Sequence, residues 1–380
     1  MTDELLSGRA GLLDCFQANL GVLADRLHGD GAHLRLGAVL RLRPRPGPDG
    51  LPTVEQSIDE VLADAADLLG LTVAAKWPGT GGAFVRSLRD CAWVIADAYH
   101  LPWVPYHRHR HVAHSFLVEP AADGIVVTDA YDNDTPWGAA RPQQCRLRRD
   151  ELAAVLDADP DATHAFRFSS VDLVPVAEET AAIPGTLIDG YLRAFAEHPD
   201  RALALDRFTM ETWLLARSRR LRAAYLGDRA GGIPQQVREH LARWDGLAEQ
   251  AYLASRRVAR GRPEPPGLLL RATETLRGDA LLLSAENWEF GKRPLVAAEE
   301  TTISVERTVR EVLGVHGPLD ADADLRTMPE FNSLRMLEIV DRLEENFAIE
   351  FGAGELVPEK LRRVRDLAVL VRKTIDGDAG

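Results

Sequence analysis

A cysteine, a histidine and an aspartate in the chain have the residue types and the order of a nucleophilic catalytic site. Cys15 follows Asp14 at the start of a predicted helix, where free N–H groups and the helix dipole stabilise a thiolate. His114 starts a predicted strand, and Asp129 ends the next strand after an Asp-Gly turn. Neighbouring hairpin strands would place these two side chains together. Asp129 would then orient His114, and His114 would deprotonate Cys15.

Each of these residues also has an ordinary structural explanation. A cysteine is most often a small buried apolar residue, and position alone would favour that interpretation of Cys15. A lone hairpin histidine such as His114 is most often a core or surface residue. The combination of all three residues favours catalysis.

A serine near the carboxyl end is suited to carrying an attached group. Ser333 ends a polar loop and opens a predicted helix. Four apolar residues of that helix share one stripe: Leu334, Leu337, Val340 and Leu343. Serine is also a favoured N-cap, which is the structural interpretation. A phosphate at this position would meet unpaired backbone N–H groups and the positive end of the helix dipole.

Composition limits the classes of function. The 380 residues include 45 Lys and Arg against 58 Asp and Glu, a net charge of −13, and such a polyanion is a poor nucleic-acid binder. No apolar run reaches the roughly 18 to 20 residues that span a bilayer. The first residues lack an apolar signal segment, and three cysteines fit a reducing compartment better than a disulfide framework. We therefore expect a cytoplasmic protein that binds neither nucleic acid nor membrane.

Strand-like and helical patterns divide the chain. Residues 1–170 alternate short apolar runs, including 34–43, with helical stretches, which predicts an α+β domain. Residues 171–298 carry apolar residues at helical spacing and predict a helical domain. Residues 299–380 predict a small acidic helical module, and the weakly periodic segment 291–302 predicts a linker before it.

The residues around Ser333 resemble an acyl carrier protein. An acidic loop precedes the tripeptide Asn-Ser-Leu at 332–334, an acidic helix follows, and 355–371 is similar to the third and fourth helices of carrier domains. The resemblance implies a four-helix carrier domain with phosphopantetheine on Ser333. It implies two partners, a phosphopantetheinyl transferase and an acyl- or aminoacyl-loading enzyme. The family usually has Asp before the serine, where this chain has Asn332.

The first 170 residues resemble papain-like proteins. The sequence at 14–30, DCFQANLGVLADRLHGD, resembles the opening of bacteriocin-processing cysteine peptidases. The sequence at 93–138 is similar to the amino-terminal domain of the butirosin-biosynthesis acyltransferase family, with a strand ending in D-x-Y-x-L-P, then a histidine, then a strand that reaches an aspartate. Those proteins have a papain-like fold and move an acyl group from a carrier protein to an amine. The resemblance implies that Cys15 is the nucleophile, His114 the base and Asp129 its orienting residue.

One departure bears on the reaction. The peptidases have a glutamine several residues before the cysteine that helps to stabilise the oxyanion, whereas this chain reads GRAGLLD there. The N–H of Cys15 is the expected donor, and Gln17 and Asn19 are expected to lie inside the helix. Thioester exchange is favoured over peptide cleavage, because a thioester has the better leaving group.

The sequence thus predicts a carrier-fused acyltransferase of secondary-metabolite or antibiotic biosynthesis, with a papain-like domain, a helical domain and a carrier domain. An acyl or aminoacyl group would pass from the arm on Ser333 to Cys15, and from there to a small-molecule amine acceptor. Direct attack by the amine, with His114 as base, is a variant. Two alternatives remain: a cysteine hydrolase (thioesterase or peptidase), and an inert scaffold that presents a carrier-bound substrate to another enzyme.

Two further charge patterns have competing interpretations. Four histidines suggest zinc, and in an extended strand the first three would share a face: His107, His109, His111 and His114. Interleaved arginines would repel a metal ion, so we expect no metal site and favour a cationic rim near a cleft. Four arginines on one predicted helix suggest a solvated face or a docking site for the acidic carrier helix: Arg217, Arg219, Arg220 and Arg222.

Overall fold

A computed structural model describes the chain apart from short segments. The segments outside the description are residues 1–4, 41, 78–80, 177–181, 284–287, 289–297, 316–318, 320, 322–323, 329–330, 348, 350, 353–360 and 378–380. The structure is α+β, as the sequence predicts. Two compact units divide it: Met1–Leu226 with Ile233–Asn287, and Gly227–Gly232 with Trp288–Gly380. The predicted domain 1–170 and most of the predicted helical domain therefore lie in the first unit.

The first unit is built around an antiparallel sheet. The described strands are β1 (Arg45–Pro46), β2 (Pro52–Thr53), β3 (Leu71–Trp77), β4 (Ala92–Asp97), β5 (Ala113–Ala121), β6 (Gly124–Asp129), β7 (Asn133–Thr135), β8 (Gly138–Ala140), β9 (Gln143–Leu147) and β10 (His164–Ser170). Six of them form one sheet in the order β3-β10-β4-β5-β6-β9. The other four form two small antiparallel pairs, β1 with β2 and β7 with β8.

The hairpin predicted for the site is present as β5 and β6. Ala121 pairs with Gly124, so that two residues form the turn. Gly124 has a φ of 157°, and a Cβ there would lie 2.5 Å from the carbonyl oxygen of Leu147 on β9. Glycine therefore allows β9 to pair closely beside the turn.

Helices cover both faces of the sheet and continue into a bundle. The described helices of the first 283 residues are α1 (Cys15–His28), α2 (Ile58–Leu69), α3 (Gly81–Ser87), α4 (Arg149–Asp157), α5 (Gly185–Glu197), α6 (Arg201–Ala230), α7 (Gln235–Val258), α8 (Leu268–Arg277) and α9 (Ala280–Leu283). On one face of the sheet, α1 and α2 pack with Trp93, Ile95 and Leu117. On the other face, α3 and α4 pack with Val94 and Phe116. Strands buried on both faces explain the nearly continuous apolar runs in their sequences.

The strand predicted over 34–43 is wrong. A 3₁₀ helix spans Ala32–Ala38 instead. The carbonyls at its end are bonded from α6, because the buried Arg222 guanidinium donates to Ala38 O at 2.5 Å and to Gly37 O at 3.4 Å. Gly37 lies so close to α6 that a Cβ would be 2.4 Å from Leu221 O. The alternation of apolar residues in this segment therefore reflects packing against helices.

Three α-helices are described in the second unit beyond Trp288: α10 (Ala298–Leu313), α11 (Ser333–Phe347) and α12 (Val364–Gly377). They share a core of buried aliphatic residues that includes Val305, Ile339 and Leu367. The predicted linker 291–302 lies outside the described residues as far as 297, and its remainder is the start of α10. The region of the predicted third carrier helix is likewise largely outside them. Within the described part of the chain, no helix is long and apolar enough to cross a membrane.

Candidate active site

Cys15 is the first residue of α1, and its neighbours fix the start of the helix. The Asp14 carboxylate accepts the Gln17 N–H at 2.8 Å, and the Gln17 side-chain oxygen accepts the Asp14 N–H at 3.3 Å. This reciprocal pair is a capping box. The N–H of Cys15 is at the first helical position, where a helix provides no acceptor of its own. It is therefore available to a negative charge that develops beside the sulfur.

His114 and Asp129 lie together on the β5–β6 hairpin. Leu117 pairs with Thr128. His114 and Asp129 both lie beyond that pair at the same end of the hairpin, where β5 begins and β6 ends. His114 Nε2 and Asp129 Oδ2 are 2.7 Å apart, and the two residues are only 1% and 3% exposed. The structure therefore brings together the predicted base and its predicted orienting residue.

Two further donors hold the Asp129 carboxylate. The indole Nε1 of Trp103 donates to Oδ2 at 3.2 Å, and the N–H of Tyr131 donates to Oδ1 at 3.1 Å. With both carboxylate oxygens bonded, Asp129 cannot swing away from the ring. His114 Nε2 is engaged by this carboxylate, which leaves Nδ1 for the sulfur of Cys15.

The electrostatics of His114 are those of a charged partner for a thiolate. Burial by itself would lower the pKa of His114, but the Asp129 carboxylate and the Cys15 thiolate outweigh it and raise that pKa well above its usual range. The imidazolium form therefore persists into the neutral range.

Asn19 joins α1 to β5 and to the residue that follows β6. Its side-chain nitrogen donates to Cys15 O at 2.9 Å and to Ser115 O at 2.8 Å, and its oxygen accepts the Ala130 N–H at 3.0 Å. The side chain is completely buried. Asn19 lies inside the helix as predicted, but its positioning function is not foreseen by the sequence analysis. The available signal is a polar residue within an apolar helical run.

Cys15 and His114 line a cavity of about 310 Å³ within the first unit. One wall belongs to α6, which contributes Met210, Trp213 and Leu214. The lining also includes apolar residues of the 3₁₀ helix and α2, and three acidic residues of α2, namely Glu60, Asp64 and Asp67. The helical part of the unit thus forms part of the cavity, although the sequence assigns it to a separate domain.

His107 and His109 lie in turns, and His111 lies outside any strand, two residues before β5. His109 stacks on Trp137 with ring centres 5.7 Å apart, and His111 stacks on Tyr99 at 4.2 Å. The three histidines therefore do not share one face of an extended strand, because the chain turns at residues 107–109. In the described ranges, no group of three His, Cys, Asp or Glu side chains is arranged to hold a metal ion.

The interpretation of the four α6 arginines as a solvated or docking face is wrong. Arg219 is 0% exposed and is paired with Asp279, and Arg222 bonds backbone carbonyls in the interior. Arg217 lines the cavity, and Arg220 forms a half-exposed ion pair with Asp245. Sequence alone does not distinguish an arginine with buried partners from one on a solvated face.

Ser333 is the first residue of α11. Asn332 caps the helix, because its side-chain oxygen accepts the Arg335 N–H at 3.0 Å. The capping role that the sequence analysis allows for Ser333 therefore falls to its neighbour. The position of Ser333 belongs to the first helical turn, whose N–H groups suit a phosphate.

Comparison with known proteins adds no family assignment. No protein-family model matches the chain. No curated protein matches it at a significant level either. A function is therefore argued below from the geometry of the site together with the motifs described above.

Proposed function

We propose that the protein is an acyltransferase in which Cys15 is the nucleophile, His114 the acid and base, and Asp129 the orienting group. One observation carries the proposal. A buried imidazole is bonded to a carboxylate through one nitrogen and interacts with a cysteine at a helix N-terminus. The order of these residues and the motifs around them support a papain-like fold for the α+β part of the first unit.

The first half of the reaction uses the thiolate–imidazolium pair. The Cys15 sulfur attacks the carbonyl carbon of an acyl donor, and the carbonyl oxygen becomes an oxyanion beside the N–H of Cys15. The bond between the carbonyl carbon and the donor sulfur then breaks. His114 gives its proton to the departing thiolate, which leaves an acyl group on Cys15 and a neutral imidazole.

The second half reverses the proton transfer. A neutral amine attacks the acyl carbon, and His114 accepts a proton from the amine nitrogen. The bond between the acyl carbon and the Cys15 sulfur breaks, an amide leaves, and the thiolate–imidazolium pair returns. Asp129 keeps the ring in one orientation throughout, because Trp103 and Tyr131 hold its carboxylate.

The second unit supports a carrier function for the same reaction. Phosphopantetheine on Ser333 would supply the thiol that holds the acyl group as a thioester. Asn332 caps α11, so Ser333 stands in the first turn, where a phosphate is favoured. A phosphopantetheinyl transferase and an acyl- or aminoacyl-loading enzyme would be its partners, and a small-molecule amine the acceptor. Fusion of donor and enzyme in one chain raises the effective concentration of the donor.

The experiment separates loading from transfer. The full chain is incubated with coenzyme A and a phosphopantetheinyl transferase, and its intact mass is measured; the gain should vanish in Ser333→Ala. A separate sample of the unloaded chain is incubated with an acyl-coenzyme A and the same transferase, so that Ser333 receives an arm that already carries the acyl group, and a panel of primary amines is then added.

Amide product from the wild type, with loading but no amide from Cys15→Ala, supports the proposal. Free acid formed at the same rate with and without amine would instead identify a hydrolase. Transfer retained in a Cys15→Ala, His114→Ala double variant would exclude catalysis by this site and favour a scaffold.

A further inference from the structure

One arginine of α6 contacts the backbone on both sides of the candidate site. Arg217 lines the cavity together with Cys15 and His114. Its Nη1 donates to Leu13 O at 2.6 Å, and its Nη2 donates to Asp132 O at 2.7 Å. Leu13 comes two residues before the nucleophile, and Asp132 comes three residues after the carboxylate that orients the histidine.

The guanidinium has one fixed orientation. Its Nη2 also donates to the side-chain oxygen of Asn133 at 3.2 Å. The Trp213 ring lies 4.4 Å from the guanidinium carbon, and the indole N–H of Trp213 donates to the same Asn133 oxygen at 3.2 Å. The planar fork of arginine bonds two carbonyls and an amide at once, which a lysine ammonium cannot reproduce in the same geometry.

The environment of Arg217 strengthens these bonds. Burial lowers the pKa of Arg217, yet an arginine side chain keeps its charge in proteins. A charged donor in a poorly solvated place makes stronger hydrogen bonds to carbonyl oxygens than a neutral one. The two backbone segments are thereby held at a fixed distance from α6 and from each other.

We propose that Arg217 is a positioning residue that sets the distance between Cys15 and His114 by holding the backbone before the cysteine and the backbone after Asp129. The helical part of the first unit then takes part in assembling the catalytic pair. The inference rests on the Cys15–His114 centre of the proposed function. It does not depend on which acyl group or acceptor is used.

The test measures the pair without any acyl transfer. Iodoacetamide alkylates the thiolate of Cys15, and its rate at pH 6 relative to pH 9 reports how well the imidazolium stabilises that thiolate. Peptide mass mapping separates Cys15 from the other two cysteines. Burial raises the pKa of Cys91 to about 12 and also raises that of Cys145, so both react slowly.

Arg217→Ala is compared with Arg220→Ala, which removes a half-exposed ion pair three residues along the same helix. We expect the pH 6 to pH 9 rate ratio to fall about ten- to a hundredfold in Arg217→Ala, the cost of a misplacement of about 1 Å. The ratio should be unchanged in Arg220→Ala. Added guanidinium chloride at low concentration should restore part of it in Arg217→Ala only. A wild-type ratio in a folded Arg217→Ala would overturn the proposal.

A second pair of variants applies if Arg217→Ala does not fold. Asn133→Ala removes one acceptor of the guanidinium, whereas Asn133→Asp keeps an acceptor oxygen and adds a charge. The rate ratio should fall in Asn133→Ala and stay near the wild-type value in Asn133→Asp. Equal ratios in the two variants would contradict the proposal. Alkylation needs no acyl donor. If the rate ratio falls in Arg217→Ala as expected but the wild type forms no amide, the result counts against the proposed function and not against the positioning role of Arg217.

Discussion

His114 Nε2 lies 2.7 Å from Asp129 Oδ2, and both side chains are almost completely buried. Because its partners raise the pKa of His114, this histidine binds its proton more tightly in the folded state than in the unfolded chain. The pair is therefore a structural element as well as a candidate catalytic one, and it links folding to pH.

Asp129→Asn should lower the pKa of His114, because it removes the first of the charges that raise it. The raised pKa of His114 stabilises the fold. This contribution is complete below the pKa of about 6.5 that the histidine has in the unfolded chain, and it is lost as the pH rises through the higher pKa of the folded state. The free energy of unfolding of Asp129→Asn should thus fall further below that of the wild type near pH 6 than in alkaline solution. Ring-carbon NMR titration and urea unfolding at several pH values measure both effects. Asp134→Asn, at an exposed carboxylate paired with Arg141, is the matched control.

Asn19→Ala should destabilise the protein by about 1–3 kcal/mol for each buried group that loses its partner. Asn19→Asp should be worse than Asn19→Ala. Its carboxylate can still accept the Ala130 N–H, but a second negative oxygen would face the carbonyls of Cys15 and Ser115. Urea unfolding at pH 7 gives the order of the two variants. An Asp variant as stable as the wild type would show that Asn19 does not hold the helix to the hairpin.

Asp279→Asn should cost about 3–5 kcal/mol, because it leaves the fully buried Arg219 charge without its carboxylate. The carboxylate also accepts from His240 and Trp244. Although burial opposes it, the Arg219 charge holds the pKa of Asp279 below its usual value. The stabilisation is therefore present above the unfolded pKa and is lost as pH falls through the folded value. Denaturant unfolding at pH 7 measures the cost of Asp279→Asn, and the same measurement at acidic pH shows whether the difference from the wild type becomes smaller.

The control for Asp279 is a surface pair. Asp189→Asn breaks a half-exposed ion pair with Arg277 and should change stability by less than about 1 kcal/mol. Similar losses in Asp279→Asn and Asp189→Asn would mean that burial of the Arg219 pair has no energetic consequence.

Gly37→Ala should destabilise the first unit, whereas Gly190→Ala should stabilise it. A Cβ at Gly37 would lie 2.4 Å from Leu221 O, so the 3₁₀ helix and α6 would have to separate, at a cost of about 1–3 kcal/mol. Gly190 is inside α5 with open space around it, and alanine there is favoured by about 0.5–1 kcal/mol. Thermal unfolding of the two variants should shift in opposite directions. Equal shifts would contradict the close contact of Gly37 with α6.

Local patterns in the sequence predict much of this structure. The β5–β6 hairpin follows from alternating apolar residues around an Asp-Gly turn, and the same pattern places His114 and Asp129 on neighbouring strands. The start of α1 at Cys15 follows from the cap residue Asp14. These features depend on residues that are close in sequence, so a single chain is enough to indicate them.

Features that depend on distant contacts are not predictable in this way. The first half of the strand expected over 34–43 belongs to a 3₁₀ helix, and Arg222 of α6 supplies the partner for the carbonyl at its end. The arginines of α6 show ordinary helical spacing, and nothing in that spacing reveals that Arg219 meets Asp279, 60 residues later. The same limit applies to Arg217, whose partners Leu13 and Asp132 lie far away in the chain.

The cavity wall formed by α6 has a consequence for how this protein could diversify. Met210 and Leu214 line the same cavity as Cys15 and His114, but they come from a different part of the chain. Under the proposed function, substitutions at Met210 and Leu214 could change which molecules fit while Cys15 and His114 keep their roles, whereas Trp213 also packs against Arg217. Under that proposal, selection or a designer could alter substrate preference on one segment without rebuilding the Cys15–His114 pair on another.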